Sequence, residues 1–426
     1  MPHRQAVVAR NLQAGRGDQV SRVARSGTAA RVSRPAHRLA SLAALLVGAA
    51  SVASCASVQT HARTREGGDG AGRVPASSGD ADTTASGVPQ PERAARHRFV
   101  GTAMGCRVEI TIDDDDADRA RDAARAAQLE LDRLDGMLSD WKRSSELSAL
   151  NASRTLRHPA SAELREVLQR ALEVARATDG RFDPTVAPMV AMWRELRKDG
   201  QLPAAAALAI AKRRVGHTKV HLEGSDVVRD RTDIALDFGG IGKGYGAVKA
   251  LEILREAGCP RALVAVAGDI AAGDAPRGER GWTVTIAAEP SVGPSSGPPP
   301  APPSGSSSAR ADGAVPGVHA KADGAADGAA DETLVIARQA VSTSGGSMQW
   351  VEIAGVRYAH IVDPRTGVGA TRLAQVTVVG PLDCAVDALG TGLALCEDDG
   401  EIRTVLARFN GYRARVERDG AAVWIP

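Results

Sequence analysis

From Phe99 to Ile112 apolar and polar residues alternate, with Val108, Ile110 and Ile112 on one face, the period-two pattern of a half-buried strand. From Asp116 to about Leu138 the pattern turns helical and is rich in Ala, Arg, Leu and Asp. A second helix is predicted after Ser161. There Leu164, Val167, Leu168, Ala171, Leu172 and Ala175 recur at core-facing spacing, and Gly180 marks a stop. Lys219–Leu222 and Ile234–Asp237 read as strands, and 242–257 as a helix opening just after a glycine-rich turn. Further strands are expected at 261–267, 281–287, 333–341, 349–360 and 373–379, before a helix that begins near Asp383. Strands and helices mix irregularly with few βαβ units. The prediction is therefore an α+β fold, mixed or antiparallel sheets packed with helices.

Three stretches fall outside this patterning. Residues 39–54 carry no charge but are short for a membrane span, and the 38 residues before them hold eight arginines against the single acid Asp18. A basic region, an apolar stretch and small residues before Cys55 read as a secretory signal over 1–54. The cysteine makes it similar to a bacterial lipoprotein signal, which implies cleavage before Cys55 and diacylglycerol on its thiol. The alternative is an ordinary signal with a chance cysteine. Residues 55–95 have almost no large apolar side chains and are expected to form a lipid-anchored flexible tether. From 290 to 331 the chain runs through SSGPPPAPPSGSSS and three copies of Ala-Asp-Gly-Ala, and is expected to be a disordered insertion between two strands. That leaves 96–426 as one catalytic domain carrying the insertion.

Charge follows this division. The leader's surplus of seven positive charges accounts for more than the whole net charge of +2, so the exported part stands at −5. A mildly acidic exported domain argues against nucleic acid as a partner. Cys106, Cys259, Cys384 and Cys396 show no metal-knuckle spacing and read as small buried apolar residues, a Cys384–Cys396 bridge being the alternative.

Four separated segments carry the candidate chemistry: Gly180 to Thr185 (GRFDPT), Asp237 to Gly244 (DFGGIGKG), His360 to Gly367 (HIVDPRTG) and Asp387 to Thr391 (DALGT). Each ends in a turn that can face a diphosphate, because glycines admit close backbone approach and acidic or hydroxyl groups suit a hard cation. The second follows a strand and opens a helix, whose amino terminus favours phosphate. Lys243 can meet a phosphate oxygen there, and the Gly240 carbonyl can ligate a cation. It is neither a Walker loop nor a dinucleotide fingerprint, and alone it reads equally as a strand–helix turn with a surface lysine. Asp387 and Thr391, four apart on a helix, offer a partial Mg²⁺ shell or simply a helix-start carboxylate and a back-bonded hydroxyl. His360 is a candidate general base or a structural histidine. Trp141 offers a flat face for an aromatic ligand or packs into the core, where Trp193 and Trp282 are expected.

Taken together, these segments resemble the FAD:protein FMN transferase family (ApbE). The resemblance runs from about Phe99 to the carboxyl terminus. It includes Ala103-Met104-Gly105, Leu138-Ser139-Asp140-Trp141, Ser145-Glu146-Leu147 with Asn151, and Ser342-Thr343-Ser344-Gly345. It implies that Met104, Trp141, Arg181, Phe182, Asp183, Asp237, Lys243 and Ile361 contact FAD. It further implies that Gly240, Asp387 and Thr391 hold Mg²⁺ and that His360 is the base. The implied reaction moves FMN from FAD to a Thr or Ser hydroxyl of an exported acceptor protein and releases AMP. A metal-dependent FAD pyrophosphatase and a non-catalytic FAD-binding lipoprotein are the alternatives. Two departures stand out: the family's Val-Asn-x-Gly-Gly-Asp run reads Val264-Ala265-Val266-Ala267-Gly268-Asp269, and an Asp common after the Lys-Gly-Tyr is Val248.

Overall fold

The computed structural model describes residues 95–287, 331–345 and 350–426. The leader 1–54 with Cys55, the tether as far as 94 and the insertion over 290–330 lie outside the described residues. The alternating run at the start is a hairpin, not one strand: β1 (Arg96–Ala103) and β2 (Cys106–Asp113) pair antiparallel about Met104-Gly105. Both turn residues have positive φ, 53° and 70°, the backbone of a two-residue hairpin whose twist suits its strands. A methionine at the first position hides the turn from a reading that looks for Asn-Gly or Asp-Gly.

α1 (Ala117–Leu138) starts where expected, with the Asp116 carboxylate accepting from the amides of Asp118 and Arg119. α2 (Glu146–Ala152) and β3 (Arg157–Pro159) follow. α3 (Ala162–Ala177) is capped by Ser161 and ends in two left-handed residues, Asp179 and Gly180. Pattern reading did not find α4 (Ala187–Leu196) or α5 (Ala205–Arg214), which precede β4 (Val220–Glu223) and β5 (Asp226–Arg229). The strand expected at Ile234–Asp237 is extended chain without a ladder. Side chains take several of its backbone groups instead. Asn151 takes both the N–H and the carbonyl of Leu236 at 2.8 Å, and Arg229 donates to the Ile234 carbonyl.

α6 (Gly242–Glu256) then leads into β6 (Ala262–Val266), β7 (Asp269–Ala272) and β8 (Trp282–Ile286). The strand expected at 333–341 is two, β9 (Glu332–Ile336) and β10 (Gln339–Ser344), and 349–360 is a hairpin of β11 (Trp350–Ile353) and β12 (Val356–Ala359). β13 (Gln375–Gly380), α7 (Ala385–Ala394), α8 (Asp399–Leu406), β14 (Arg413–Arg418) and β15 (Ala421–Ile425) complete the chain.

Among the described residues eight strands form one antiparallel sheet in the order β1-β2-β6-β7-β10-β13-β14-β15. Because side chains alternate across it, each strand feeds two cores. Val108, Ile110, Ile112, Val264 and Ala271 meet α1 and α6, while Leu263, Ala265, Ile270 and Val341 meet the β8–β9 hairpin. Toward the other margin Val376, Val378, Ala414 and Val416 join a core shared with α3, α7 and α8. Trp193 and Trp282 are buried as expected. Cys106, Cys259, Cys384 and Cys396 are all buried, with no Cys384–Cys396 bridge.

Candidate active site

Three of the four turns meet through specific contacts. The Asp237 amide donates to the Pro184 carbonyl at 2.8 Å, joining the first segment to the second. The second meets the fourth where Gly244, in the first turn of α6, donates to Asp387 Oδ2 at 3.1 Å. Close approach requires glycine there: a Cβ on Gly244 would stand 2.8 Å from the Asp387 Cβ. One on Gly240 would stand 3.0 Å from Thr391 Oγ1 and 3.2 Å from the Phe182 ring. The third segment is tied to the end of α7 by Arg365, which donates to the Leu395 carbonyl at 3.2 Å and chelates Asp363.

At the centre lies Lys243. Its ammonium is 3.3 Å from both Asp387 oxygens, 3.2 Å from Asp269 Oδ2 and 3.2 Å from the Gly239 carbonyl. Asp387 is 2% exposed and Asp269 3%. Burial, then the charge of Asp269, pushes the Asp387 carboxyl up to about 6 against the pull of Lys243 and the Gly244 amide. Two buried carboxylates thus share one ammonium, which leaves a net negative charge away from water. Asp269 Oδ1 and the hydroxyl of Ser342, its cross-strand neighbour on β10, are buried with no hydrogen-bond partner. Among the described residues no three His, Cys, Asp or Glu side chains gather as a metal cluster. The donor set here is of another kind: one or two carboxylates, the Thr391 hydroxyl and the Gly240 carbonyl. Such hard oxygen donors fit Mg²⁺, which keeps waters and phosphate oxygens in its remaining positions.

The other expected residues are placed as follows. Met104 sits at the tip of the first hairpin and lies over Gly246 of α6. Phe182 lines the Gly240–Thr391 contact. Asp183 spends its carboxylate on local structure, accepting from the Thr185 amide and hydroxyl within its turn and from the distant His217 amide. Arg181 turns away to pair with Glu401 of α8. Asp237 accepts from the Gly239 amide at 2.7 Å, and burial followed by the Asp140 charge raises its pKa. His360 is exposed where β12 ends, and Ile361 accepts from the Ala370 amide as the next turn begins. Trp141 is 71% exposed, not core.

Sequence reading passed over two residues here. Asp269 had a signal, a lone acid opening the otherwise apolar strand Asp269-Ile270-Ala271-Ala272. Arg194 had none, being one arginine on a helix that patterning missed. It donates to Asp140 Oδ2 at 2.8 Å, stands 3.7 Å from Asp237 Oδ2, and lies 4.3 Å over the Trp141 ring.

The sequence profile of the ApbE family matches residues 104–415. The FAD:protein FMN transferase of Salmonella typhimurium is 28% identical over 304 residues, covering 69% of this chain and 76% of that protein. The enzyme of the same name from Escherichia coli is 28% identical over 320 residues, covering 72% and 80%. Among solved structures, flavin transferase ApbE from Vibrio cholerae superposes with a TM-score of 0.60 at 21% identity, covering 78% of this chain and 96% of that one. The ApbE protein of Thermotoga maritima gives 0.61 at 22%, covering 78% and 97%. At those identities the structural likeness speaks for the fold, and the profile speaks for descent: the chain belongs to the ApbE family.

Proposed function

We propose that this protein is an Mg²⁺-dependent FAD:protein FMN transferase that esterifies a Thr or Ser hydroxyl of an exported acceptor protein and releases AMP. The observation that carries this reading is the convergence of Gly240, Lys243, Asp387 and Thr391 from two distant segments at one buried, net-negative point. The ApbE profile and the similar enzymes named FAD:protein FMN transferase support its coarser part, transfer of FMN from FAD to a protein.

The reaction is an exchange at phosphorus. The acceptor oxygen bonds to the phosphorus that bears FMN, the bridging P–O bond to the AMP side breaks, and the hydroxyl proton passes to a base. Asp387, Thr391 and the Gly240 carbonyl would hold Mg²⁺, which supplies charge stabilisation on the diphosphate. Lys243 sits at the amino terminus of α6, where helix dipole and ammonium act together on phosphate oxygens. Phe182 and the Met104 hairpin supply apolar walls. Trp141 supplies a face for an aromatic ring. Asp183 acts by shaping its turn, and the main chain of Arg181 follows that turn. Asp237 and Ile361 line the FAD site, and His360 takes the proton. The leader and Cys55 would export the enzyme and anchor it by lipid, so that it meets acceptors outside the cytoplasm.

The test is to incubate the protein with FAD and Mg²⁺, with and without an acceptor bearing the target threonine. Covalently yellow acceptor plus AMP is the expected outcome. FMN and AMP without acceptor would make it a pyrophosphatase, and unchanged FAD a carrier. His360→Ala is expected to slow transfer at least tenfold while FAD still binds, within the contribution usual for a general base. Lost FAD binding in that variant would assign the histidine to structure.

A further inference from the structure

Trp141 is a large, exposed aromatic side chain on a short connection, yet a ligand platform has to stand still. The local backbone is fixed, since Ser139 Oγ accepts from the amides of Trp141 and Lys142 at 3.2 Å and Lys142 pairs with Asp135 at 2.7 Å. The indole itself needs another anchor, and Arg194 has the geometry of one. Its guanidinium lies 4.3 Å over the ring, one nitrogen donates to Asp140 at 2.8 Å, and another stands 3.7 Å from Asp237. Its base is rigid. The preceding residue, Trp193, is buried in α4 and donates to the Ala359 carbonyl at 3.2 Å, just before His360.

We propose that Arg194 is the positioning residue of the flavin platform: it holds one face of the Trp141 indole and ties it through Asp140 and Asp237 to the glycine-rich turn, leaving the other face for the ring of FAD. This rests on the transferase reading above. A planar, permanently charged fork suits the task, because it stacks on an indole while two of its edges hydrogen-bond or pair with carboxylates; an ammonium does one or the other. Arg197, one turn further along, does not substitute. Burial and the neighbouring Arg194 charge lower its pKa, whereas it is Arg194 that stacks on Trp141 and donates to Asp140.

The experiment compares the full-length protein with Arg194→Met and Arg194→Lys in two measurements. The first is the fluorescence anisotropy of Trp141, taken as the component lost in Trp141→Phe, without ligand. The second is the FAD concentration for half-maximal FMN transfer. In Arg194→Met the Trp141 anisotropy falls, and half-saturation rises about tenfold while the saturated rate falls less, as for loss of a partly desolvated cation–π contact. Arg194→Lys recovers part of both. Unchanged half-saturation overturns the proposal, and so does a rise with undiminished Trp141 anisotropy, which would make Arg194 a structural partner of Asp237. If the wild-type protein does not use FAD, the transferase reading fails. The ligand-free anisotropy still decides whether Arg194 orders Trp141.

Discussion

Lys243 carries one charge and faces two buried acids. Burial, with the charge of Asp269 added, makes the folded chain hold a proton on Asp387 at a pH where the unfolded chain would not, about 6 against the ordinary value of about 4. Between those values the folded state binds more protons. The contribution of this group to stability thus falls as pH rises through the window, and the loss is complete above about 6. In metal-free protein Asp387→Asn should raise unfolding free energy at pH 8 by up to about 3 kcal/mol and change it little at pH 4. The same variant should lose the thermal stabilisation that Mg²⁺ gives the wild type. Denaturant titration at the two pH values, with and without Mg²⁺, checks both; a variant that stays Mg²⁺-responsive would remove Asp387 from the cation site. At this scale the sequence disclosed residues whose neighbours along the chain announce them, such as Lys243 among glycines. Asp269 and Arg194 acquire their meaning from partners 26 and 53 positions away, Lys243 and Trp141, which lie outside the sequence around either residue.

Helices α6 and α7 can bring their amino-terminal turns together because Gly244 offers no side chain at the crossing. Gly244→Ala would drive a methyl group against the Asp387 Cβ at 2.8 Å and the Cys384 carbonyl at 3.3 Å. Overpacking of this kind costs about 1–3 kcal/mol, and here it also separates Lys243 from Asp387, so transfer should drop further than stability alone explains. Gly136, exposed on α1 with open space around it, is the control: Gly136→Ala should stabilise by up to about 1 kcal/mol and leave activity intact. Thermal melts and transfer rates of the pair decide the point, and equal behaviour would mean that the crossing is slack. Helices were legible at Asp116 and Ser161, where a cap accompanied a long apolar pattern, whereas α2 and α8, capped by Ser145 and Asp398 but only seven and eight residues long, were not. Two hairpins were not, because Met104-Gly105 and Ala354-Gly355 both adopt positive φ without the Asn or Asp that usually signals it. The Ile234–Asp237 segment failed differently: its apolar alternation is genuine, but Asn151 and Arg229 take the backbone groups of Leu236 and the carbonyl of Ile234 in place of a neighbouring strand.

Across the whole molecule the β8–β9 hairpin closes the sheet face opposite α1 and α6, and the low-complexity run joins its two strands. The pairing of Trp282–Ile286 with Glu332–Ile336 brings the two sides of that run together without it. Replacing 290–330 by a short Gly-Ser link should therefore shift the melting temperature by only a few degrees, since loop closure changes by about 0.6 kcal/mol for each doubling of length. Transfer should persist; an inactive deletion would give the run a part in the reaction. The α+β class was readable from irregular strand and helix spacing. Strand order was not, because it depends on which apolar faces find each other, and nothing in the sequence orders β2 next to β6. That order also sets the two ends of the described fold on opposite margins of one sheet, β1 at one edge and β15 at the other. Seven ladders at about 4.8 Å each separate them by roughly 34 Å. A circular permutant joining Ala95 to Pro426 would need a bridge long enough to traverse the sheet, whereas a reporter fused after Pro426 would stand clear of whatever holds the first strand.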